Sequence, residues 1–226
     1  MDFLVFLGSV RDSTPPRPAR LGERVAVALK SQLAESGHEA TLIDPLDFEL
    51  GGVFKPHFAH ARDQAPEALE SLAGRIERAD GYVMVSPEYN HSMSPALAHL
   101  LNHFGSSLYS YKPSVIATYS AGQWGGARAA VHLRSFLSEL GCLPVSAMIH
   151  VPRAQEVFDD AGGWLEGVDG EAWSSYFQRA LLQLQWWAEA AGRQRAHGET
   201  ARPGAFKRDP GQRNAPEDQT GGAASS

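Results

Sequence analysis

The chain has 226 residues, a single cysteine and a formal net charge of −6. One cysteine excludes an intramolecular disulfide framework, and an acidic balance with a pI near 5.8 disfavours a general nucleic-acid-binding surface. The first apolar run, residues 3–7, is too short for a signal peptide, and no run is long enough to span a membrane. We therefore expect a cytoplasmic protein that binds neither nucleic acid nor membranes.

Composition divides the chain into two parts. From about residue 193 onward the sequence is rich in glycine and polar residues, and Phe206 is its only large apolar side chain. Such a segment cannot bury enough apolar surface to offset its chain entropy. We predict one folded domain over residues 1–192 and a disordered, low-complexity tail over residues 193–226.

Within the domain, apolar runs alternate with helical patterns. The predicted strands are residues 3–7, 40–43, 81–85, 114–119 and 143–149. The predicted helices begin near residue 21, cover 66–78, begin near 95, cover 130–140 and cover 171–190. Continuous apolar strands separated by helices indicate a parallel sheet with helices on both faces. The prediction is an α/β, flavodoxin-like, doubly wound fold with a five-stranded parallel sheet in the order 2-1-3-4-5.

Polar or glycine-rich loops follow the first, third and fourth predicted strands. They are Gly8-Ser9-Val10-Arg11, residues 86–95 with Pro87-Glu88-Tyr89-Asn90-His91, and Ser120-Ala121-Gly122-Gln123-Trp124-Gly125-Gly126. The carboxyl ends of parallel strands meet at one edge of the sheet, where open α/β folds bind their ligands. Hydroxyl, guanidinium and backbone N–H groups suit a phosphate, and glycines let the backbone approach a planar ring. The loops predict a site for a phosphorylated, flat, aromatic ligand, with flavin mononucleotide (FMN) as the leading candidate.

Each loop also has an ordinary structural explanation. The first could be a plain solvent loop, and Ser120 could simply cap the following helix. Trp124 could cover the ligand, contact a neighbouring subunit or pack within the fold. The second loop is harder to explain in this way, because Pro87 and Pro95 stiffen both ends of a polar stretch.

Several nucleotide and metal sites are disfavoured. The first loop is neither a Walker A loop nor a Gly-x-Gly-x-x-Gly dinucleotide fingerprint. His99 and His103 lie four residues apart on a predicted helix, but no third metal ligand is identifiable. We therefore predict no metal site.

Three blocks of this sequence carry a family resemblance. Pro87-Glu88-Tyr89-Asn90 is followed, after six residues, by Leu97-Ala98-His99-Leu100-Leu101-Asn102. The chain resembles the NADPH-dependent FMN reductase family, whose signature is Pro-Glu-Tyr-Asn, six variable residues and Leu-Lys-Asn-Ala-Ile-Asp. Gly8-Ser9-Val10-Arg11 is similar to the family's Gly-Ser-x-Arg phosphate loop. Residues 120–129 with Leu133-Arg134 are similar to its third block.

The resemblance implies how FMN is held. Its phosphate would bind Ser9, Arg11 and Arg20 together with the backbone of Leu21 and Gly22. The ribityl chain and ring would contact Pro87, Glu88, Tyr89, Asn90 and His91, and the pyrimidine edge would contact Ser120, Gly122, Trp124, Gly125 and Gly126. Residues 12–18 make the phosphate loop longer than is usual in the family, which leaves open whether Arg17 or Arg20 reaches the phosphate.

The resemblance also implies an activity. NADPH or NADH would deliver hydride to flavin N5, and a small acceptor (a flavin, a quinone, an azo compound or a metal oxyanion) would then be reduced. No catalytic side chain is required, since the cofactor carries the chemistry. A homodimer or homotetramer is expected, although Ala98-His99 and Asn102 replace the family's Lys-Asn and Asp and so remove charges from a helix used in subunit contacts.

A second class of function stays open at this point. A flavodoxin-like electron carrier or redox-sensing flavin module would bind the same cofactor without being an enzyme. Such carriers have phosphate loops rich in serine and threonine, so Arg11 favours the enzyme. The sequence does not decide between acceptors, or between NADPH and NADH.

Overall fold

A computed structural model of the chain describes residues 1–11, 20–50, 53–61 and 64–198. Arg17 and the rest of the insertion at residues 12–18 lie outside the described residues. Most of the predicted tail, from residue 199 onward and including Phe206, also lies outside them.

A parallel sheet forms the centre of the molecule. Its strands are β1 (Asp2–Leu7), β2 (Glu39–Ile43), β3 (Gly81–Pro87), β4 (Pro113–Tyr119), β5 (Leu143–Pro144) and β6 (Ile149–Val151). The order is β2-β1-β3-β4-β5, with β6 also paired to β4, and every pair is parallel. The predicted strand order and flavodoxin-like fold are confirmed.

The helices are α1 (Leu21–Glu35), α2 (Glu67–Arg78), α3 (Pro95–Asn102), α4 (Ser106–Tyr109), α5 (Ala127–Glu139) and α6 (Gly170–Ala196). Local sequence explains several of their ends. The α3 helix begins with Pro95 in its first turn, where the Ser94 hydroxyl accepts a 3.0 Å hydrogen bond from the Leu97 N–H. The α1 helix is followed by Gly37, which has a φ of +81°. The short α4 helix was not predicted.

The two faces of the sheet bury alternate residues of each strand. Phe3, Val5 and Leu7 of β1 pack in a core with α1 and α6. Leu4 and Phe6 pack in a second core with α2, α3 and α5. Helices therefore cover both faces, as continuous apolar strands require.

The fifth strand differs from its prediction. A single strand over residues 143–149 was expected, but two short strands, β5 and β6, pair with different parts of β4. Between them the Val145 N–H still donates to the Ser114 carbonyl of β4 at 2.9 Å, but other backbone groups bond to side chains. Arg134 of α5 donates to the carbonyls of Pro144 at 3.2 Å and Val145 at 2.7 Å, and Gln183 of α6 accepts from the Ala147 N–H at 3.2 Å. These side-chain contacts satisfy backbone groups that a continuous strand would pair with β4.

The last helix is longer than predicted, and residues 193–196, which were assigned to the tail, are helical. Arg195 near its end donates to the Asp80 carboxylate at 3.2 Å, just before β3 begins. This tertiary contact extends the helix beyond its apolar stripe. Among the described helices none is both long and apolar enough to cross a membrane.

Candidate functional site

A cleft of about 480 Å³ opens at the carboxyl edge of the sheet. Its lining residues are Ser9, Arg11, Arg20, Leu21, Pro87, Glu88, Tyr89, Tyr119, Ser120, Ala121 and Gln155. They come from the loops after β1, β3, β4 and β6, together with the start of α1. The volume falls in the range of about 300–1,000 Å³ that is typical of ligand and cofactor sites. The three loops singled out in the sequence thus border one cleft.

The first loop is held closely against the sheet. The Gly8 N–H donates to the Val85 carbonyl at 2.7 Å, and a Cβ added to Gly8 would lie 2.5 Å from that oxygen. The turn therefore requires glycine. Ser9 is buried, and its Oγ accepts from the Arg11 N–H at 3.3 Å. The Arg11 side chain is exposed, and its guanidinium donates to no other described residue.

Arg20 has a different environment from Arg11. Its buried guanidinium forms an ion pair with Asp44, with one N–O distance of 3.0 Å, and also donates to the Ser9 carbonyl. Burial lowers the pKa of Arg20, but the hydrogen bond and charge of Asp44 outweigh it, so the pKa is raised overall. Arg20 lines the cleft and at the same time braces the Ser9 loop against the end of β2.

The start of α1 also faces this region. No side chain caps the helix at Arg20, and the N–H groups of Leu21 and Gly22 donate to no other described residue. A helix N-terminus carries a partial positive charge and unsatisfied donors. With Arg11 nearby, this end of the cleft favours an anion.

The second loop contains a tight two-residue turn. The N–H groups of Tyr89 and Ser92 donate to each other's carbonyls at 3.0 and 2.9 Å, with Asn90 at φ +49° and His91 at φ +63° between them. Two consecutive positive φ values are typical of a type I′ turn, and a histidine there is strained. Strain of this kind collects at functional sites, which agrees with the rigidity expected from Pro87.

Glu88 joins this loop to α5. Its Oε1 accepts from the Nε and Nη2 of Arg128, both at 2.8 Å. Its Oε2 is buried and accepts no hydrogen bond from the described residues. A buried carboxylate oxygen without a donor is destabilising, so one that lines a cleft indicates a ligand-binding role.

The third loop is ordered by Ser120. Its Oγ accepts from the Gly125 N–H at 3.0 Å and donates to the Gly122 carbonyl at 2.8 Å. The α5 helix begins only after Gly126, without a side-chain cap, so the capping alternative for Ser120 is wrong. The exposed N–H groups at residues 121–123 donate to no other described residue.

The glycines of this loop fall into two kinds. Gly125 and Gly126 have φ values of +58° and +76° and are crowded by neighbouring atoms, so the fold itself requires them. A Cβ added to Gly122 would meet nothing within 4 Å, and its φ is not in the left-handed region. The fold therefore does not explain Gly122, whereas close approach of a ligand would.

Seven predicted site residues are not among those that line the cleft. These are Gly22, Asn90, His91, Gly122, Trp124, Gly125 and Gly126. The Trp124 side chain is 65% exposed, so the alternative that it packs within the fold is wrong.

Two residues that line the cleft were missed in the sequence. Tyr119, the last residue of β4, was assigned to its strand alone. Gln155 follows β6, and its Nε2 donates to the Ala121 carbonyl at 3.1 Å, while its Oε1 is buried without a donor among the described residues. Gln155 could have been found from its position in the loop after a strand. It was missed because the fifth strand was predicted to end at residue 149, two residues before β6 ends.

The described part of the chain contains no group of three or more histidine, cysteine or acidic side chains that could hold a metal ion. His99 and His103 contact each other edge to face, with ring centroids 5.0 Å apart.

The fold and the site together define a flavodoxin-like protein with a cleft at the carboxyl edge of the sheet, lined in part by arginine side chains and the start of α1. The family model for NADPH-dependent FMN reductases matches residues 1–156. The chain therefore belongs to the NADPH-dependent FMN reductase family, whose members are oxidoreductases that use FMN and NAD(P)H. This confirms the resemblance read from the three sequence blocks.

Individual relatives agree with this assignment. An NAD(P)H-dependent FMN reductase of Pseudomonas aeruginosa is 33% identical over 126 residues, covering 54% of this chain and 66% of the relative. A quinone reductase of Escherichia coli K12 is 33% identical over 131 residues, covering 52% of this chain and 69% of the relative. The alignments thus span about two thirds of these relatives.

A solved structure supports the fold. The flavoenzyme NAD(P)H:(acceptor) oxidoreductase FerB from Paracoccus denitrificans superposes with a TM-score of 0.61. The match covers 83% of this chain and 97% of FerB at 21% identity. At that identity the likeness concerns the architecture alone.

Proposed function

We propose that this chain is an FMN-dependent NAD(P)H oxidoreductase that holds FMN in the cleft and reduces a small planar acceptor of the quinone kind. The observation that carries the proposal is the presence of two different ends in one cleft. One end, with Arg11 and the start of α1, suits an anion. The other, the loop at residues 120–126, offers free backbone donors.

The end of the cleft with Arg11 and the start of α1, which suits an anion, fits the phosphate of FMN. Arg11 is the exposed cation there, with no described partner for its guanidinium, whereas Arg20 is bonded to Asp44 and Ser9. We assign direct phosphate contact to Arg11 and the Ser9 hydroxyl, and a bracing role to Arg20. Charge-assisted hydrogen bonds of this kind are among the stronger polar contacts in proteins.

The other end fits a flat ring with polar edges. Free N–H groups at residues 121–123 can donate to ring carbonyl oxygens, and Gly122 leaves room for close approach. Glu88 and Arg128 fix the second loop against α5, and the Asn90-His91 turn stiffens it. These contacts orient a ring without supplying an acid or a base.

When bound, FMN supplies the hydride chemistry between NAD(P)H and the acceptor. The residues of the chain hold the phosphate, orient the ring and border the space where NAD(P)H and the acceptor bind in turn. No described side chain is needed to move a proton in this scheme.

An aromatic acceptor suits the open side of the cleft. Tyr89 is 45% exposed and Trp124 is 65% exposed, on the two loops that border the cleft. Exposed aromatic rings favour planar ligands by stacking. A related protein named a quinone reductase supports the same acceptor class.

Anaerobic stopped-flow mixing of the FMN-loaded protein with NADPH, and separately with NADH, tests the proposal. We expect rapid bleaching of the flavin absorbance, followed by its return when a quinone is added. Absence of bleaching with both nucleotides would instead support the electron carrier or redox sensor. The cytoplasmic location and the homodimer or homotetramer remain predictions.

A further inference from the structure

Gln155 lines the cleft but belongs to none of the three sequence blocks that carry the family resemblance. It lies in a short 3₁₀ turn, Ala154–Glu156, that follows β6. Its Nε2 donates to the Ala121 carbonyl at 3.1 Å, whereas its Oε1 is buried and accepts no hydrogen bond from the described residues. Because the nitrogen has an acceptor, the orientation of the carboxamide is set, and its oxygen can only accept.

The backbone around Gln155 is bound to the loop at residues 120–126. The hydrogen bonds run from the Ser120 N–H to the Val151 carbonyl at 3.1 Å, from the Arg153 N–H to the Gly122 carbonyl at 2.9 Å and from the Ala154 N–H to the Ser120 carbonyl at 3.1 Å. Ala154, directly before Gln155, is fully buried. The turn therefore holds Gln155 in a fixed position beside the loop that we assign to the flavin ring.

This part of the cleft combines unused donors with an unused acceptor. The exposed N–H groups at residues 121–123 donate to no other described residue. The Oε1 of Gln155 is the acceptor, and a buried acceptor without a donor is unfavourable. The edge of a flavin ring has the complementary pattern, because N3–H lies between the C2 and C4 carbonyls and is the only N–H of the oxidised ring.

We propose that Gln155 is a specificity-determining residue for the flavin ring: its Oε1 accepts a hydrogen bond from N3–H of bound FMN. The proposal rests on the proposed function. A ribityl hydroxyl is another donor in FMN, but the Gln155 amide is bonded to Ala121, on the loop whose free donors suit the ring carbonyls. Recognition of the ring edge is thus assigned partly to the turn after β6, and that of the phosphate to Arg11 and Ser9.

Gln155→Leu removes the carboxamide, and 3-methyl-FMN, in which a methyl group replaces the N3 hydrogen, removes the donor from the ligand. We expect the wild type to bind FMN at least about fivefold more tightly than 3-methyl-FMN, because the methylated ring leaves Oε1 without a donor. Gln155→Leu should reduce this preference about two- to tenfold, the effect of one ordinary hydrogen bond. Quenching of flavin fluorescence measures each dissociation constant.

The pair of ligands distinguishes contact with the ring from support of the loop. Loss of the bond from Nε2 to Ala121 would disturb the loop for every flavin, so it would weaken the binding of FMN and 3-methyl-FMN by the same factor. Such an equal loss would contradict the proposal. Riboflavin carries the same N3–H, so Gln155→Leu should weaken its binding by the same factor as that of FMN.

Gln178→Leu is the matched control. Gln178 is partly buried on α6, its Nε2 donates to Ser36 Oγ at 3.4 Å, and it does not line the cleft. We expect this variant to bind all three flavins with wild-type affinity.

Two results would overturn the assignment of Gln155 and leave the proposed function standing. One is a wild type that binds FMN and 3-methyl-FMN equally, which needs no variant to measure. The other is a Gln155→Leu variant that keeps the full preference for FMN over 3-methyl-FMN. A wild-type protein that binds no FMN would overturn the proposed function as well.

Discussion

Charged side chains at the two edges of the sheet differ in whether hydrogen-bond partners within the protein satisfy them. At the amino edge, Lys112 is 2% exposed and its Nζ donates to the carbonyls of Ile76 and Glu77, both at 2.6 Å. At the carboxyl edge, Arg11 is exposed and its guanidinium bonds to no described residue, and Glu88 Oε2 is buried without a donor. The fold satisfies a buried lysine at one edge, whereas at the other the Arg11 guanidinium and one oxygen of the Arg128-paired Glu88 have no described hydrogen-bond partner. This difference supports our proposal that a ligand binds at the carboxyl edge.

Of the variants considered, Lys112→Met should cause the largest change in free energy, and it should lower stability without changing FMN binding. The variant leaves two helix-end carbonyls without their charged donor, and hydrogen bonds to charged groups contribute about 1.5–3 kcal/mol each. We expect the free energy of unfolding to fall by about 3 kcal/mol, measured by urea denaturation. FMN affinity of the folded protein should not change.

Lys30→Met serves as the control, because Lys30 is exposed on α1. Its unfolding free energy should stay within about 0.5 kcal/mol of the wild type. If Lys112→Met left stability unchanged, or lowered FMN affinity, the two edges would not differ in the way described.

Arg11→Ala should have the opposite effect to Lys112→Met: it should lower FMN affinity and leave stability nearly unchanged. Loss of a charge-assisted hydrogen bond of about 1.5–3 kcal/mol should weaken FMN binding roughly ten- to a hundredfold. Riboflavin, which has no phosphate, should bind as before, and the free energy of unfolding should change by less than about 0.5 kcal/mol. Fluorescence titration with each flavin measures the difference.

Arg153→Gln tests whether Arg11 acts by direct contact with the FMN phosphate or only by long-range electrostatic attraction. Arg153 is exposed at the same edge of the sheet but does not line the cleft. We expect little change in FMN affinity for this variant. Equal losses of FMN and riboflavin affinity in Arg11→Ala would show that Arg11 supports its loop, and a matching loss in Arg153→Gln would indicate a general charge effect.

Most of the fold could be predicted because β1, β3 and β4 are buried on both faces and read as continuous apolar runs. The break in the fifth strand could not, since part of its backbone is satisfied by the side chains of Arg134 and Gln183, which lie on other elements. The end of α6 was missed for a similar reason, because Arg195 reaches Asp80 across the fold. Tertiary contacts of single side chains leave no periodic signal in the sequence.

The candidate site was predicted through its loops, because strand ends of a parallel sheet meet at one edge. The sequence did not show that residues of the same type have different roles in the site. Arg11 and Arg20 look alike in sequence, and only the position of Asp44 separates them. Gly122 likewise differs from Gly125 and Gly126 only in what surrounds it. Tyr119 was not predicted to line the cleft, because the apolar pattern of a strand does not show which of its side chains faces a ligand site.

Titration of the flavin-free wild-type protein with FMN and with riboflavin tests the central claim most directly. The account predicts one FMN bound per chain, with an affinity at least about tenfold higher than that for riboflavin. A protein that binds neither flavin, or binds both equally, would contradict the assignment of the carboxyl-edge cleft as a phosphate-anchored FMN site.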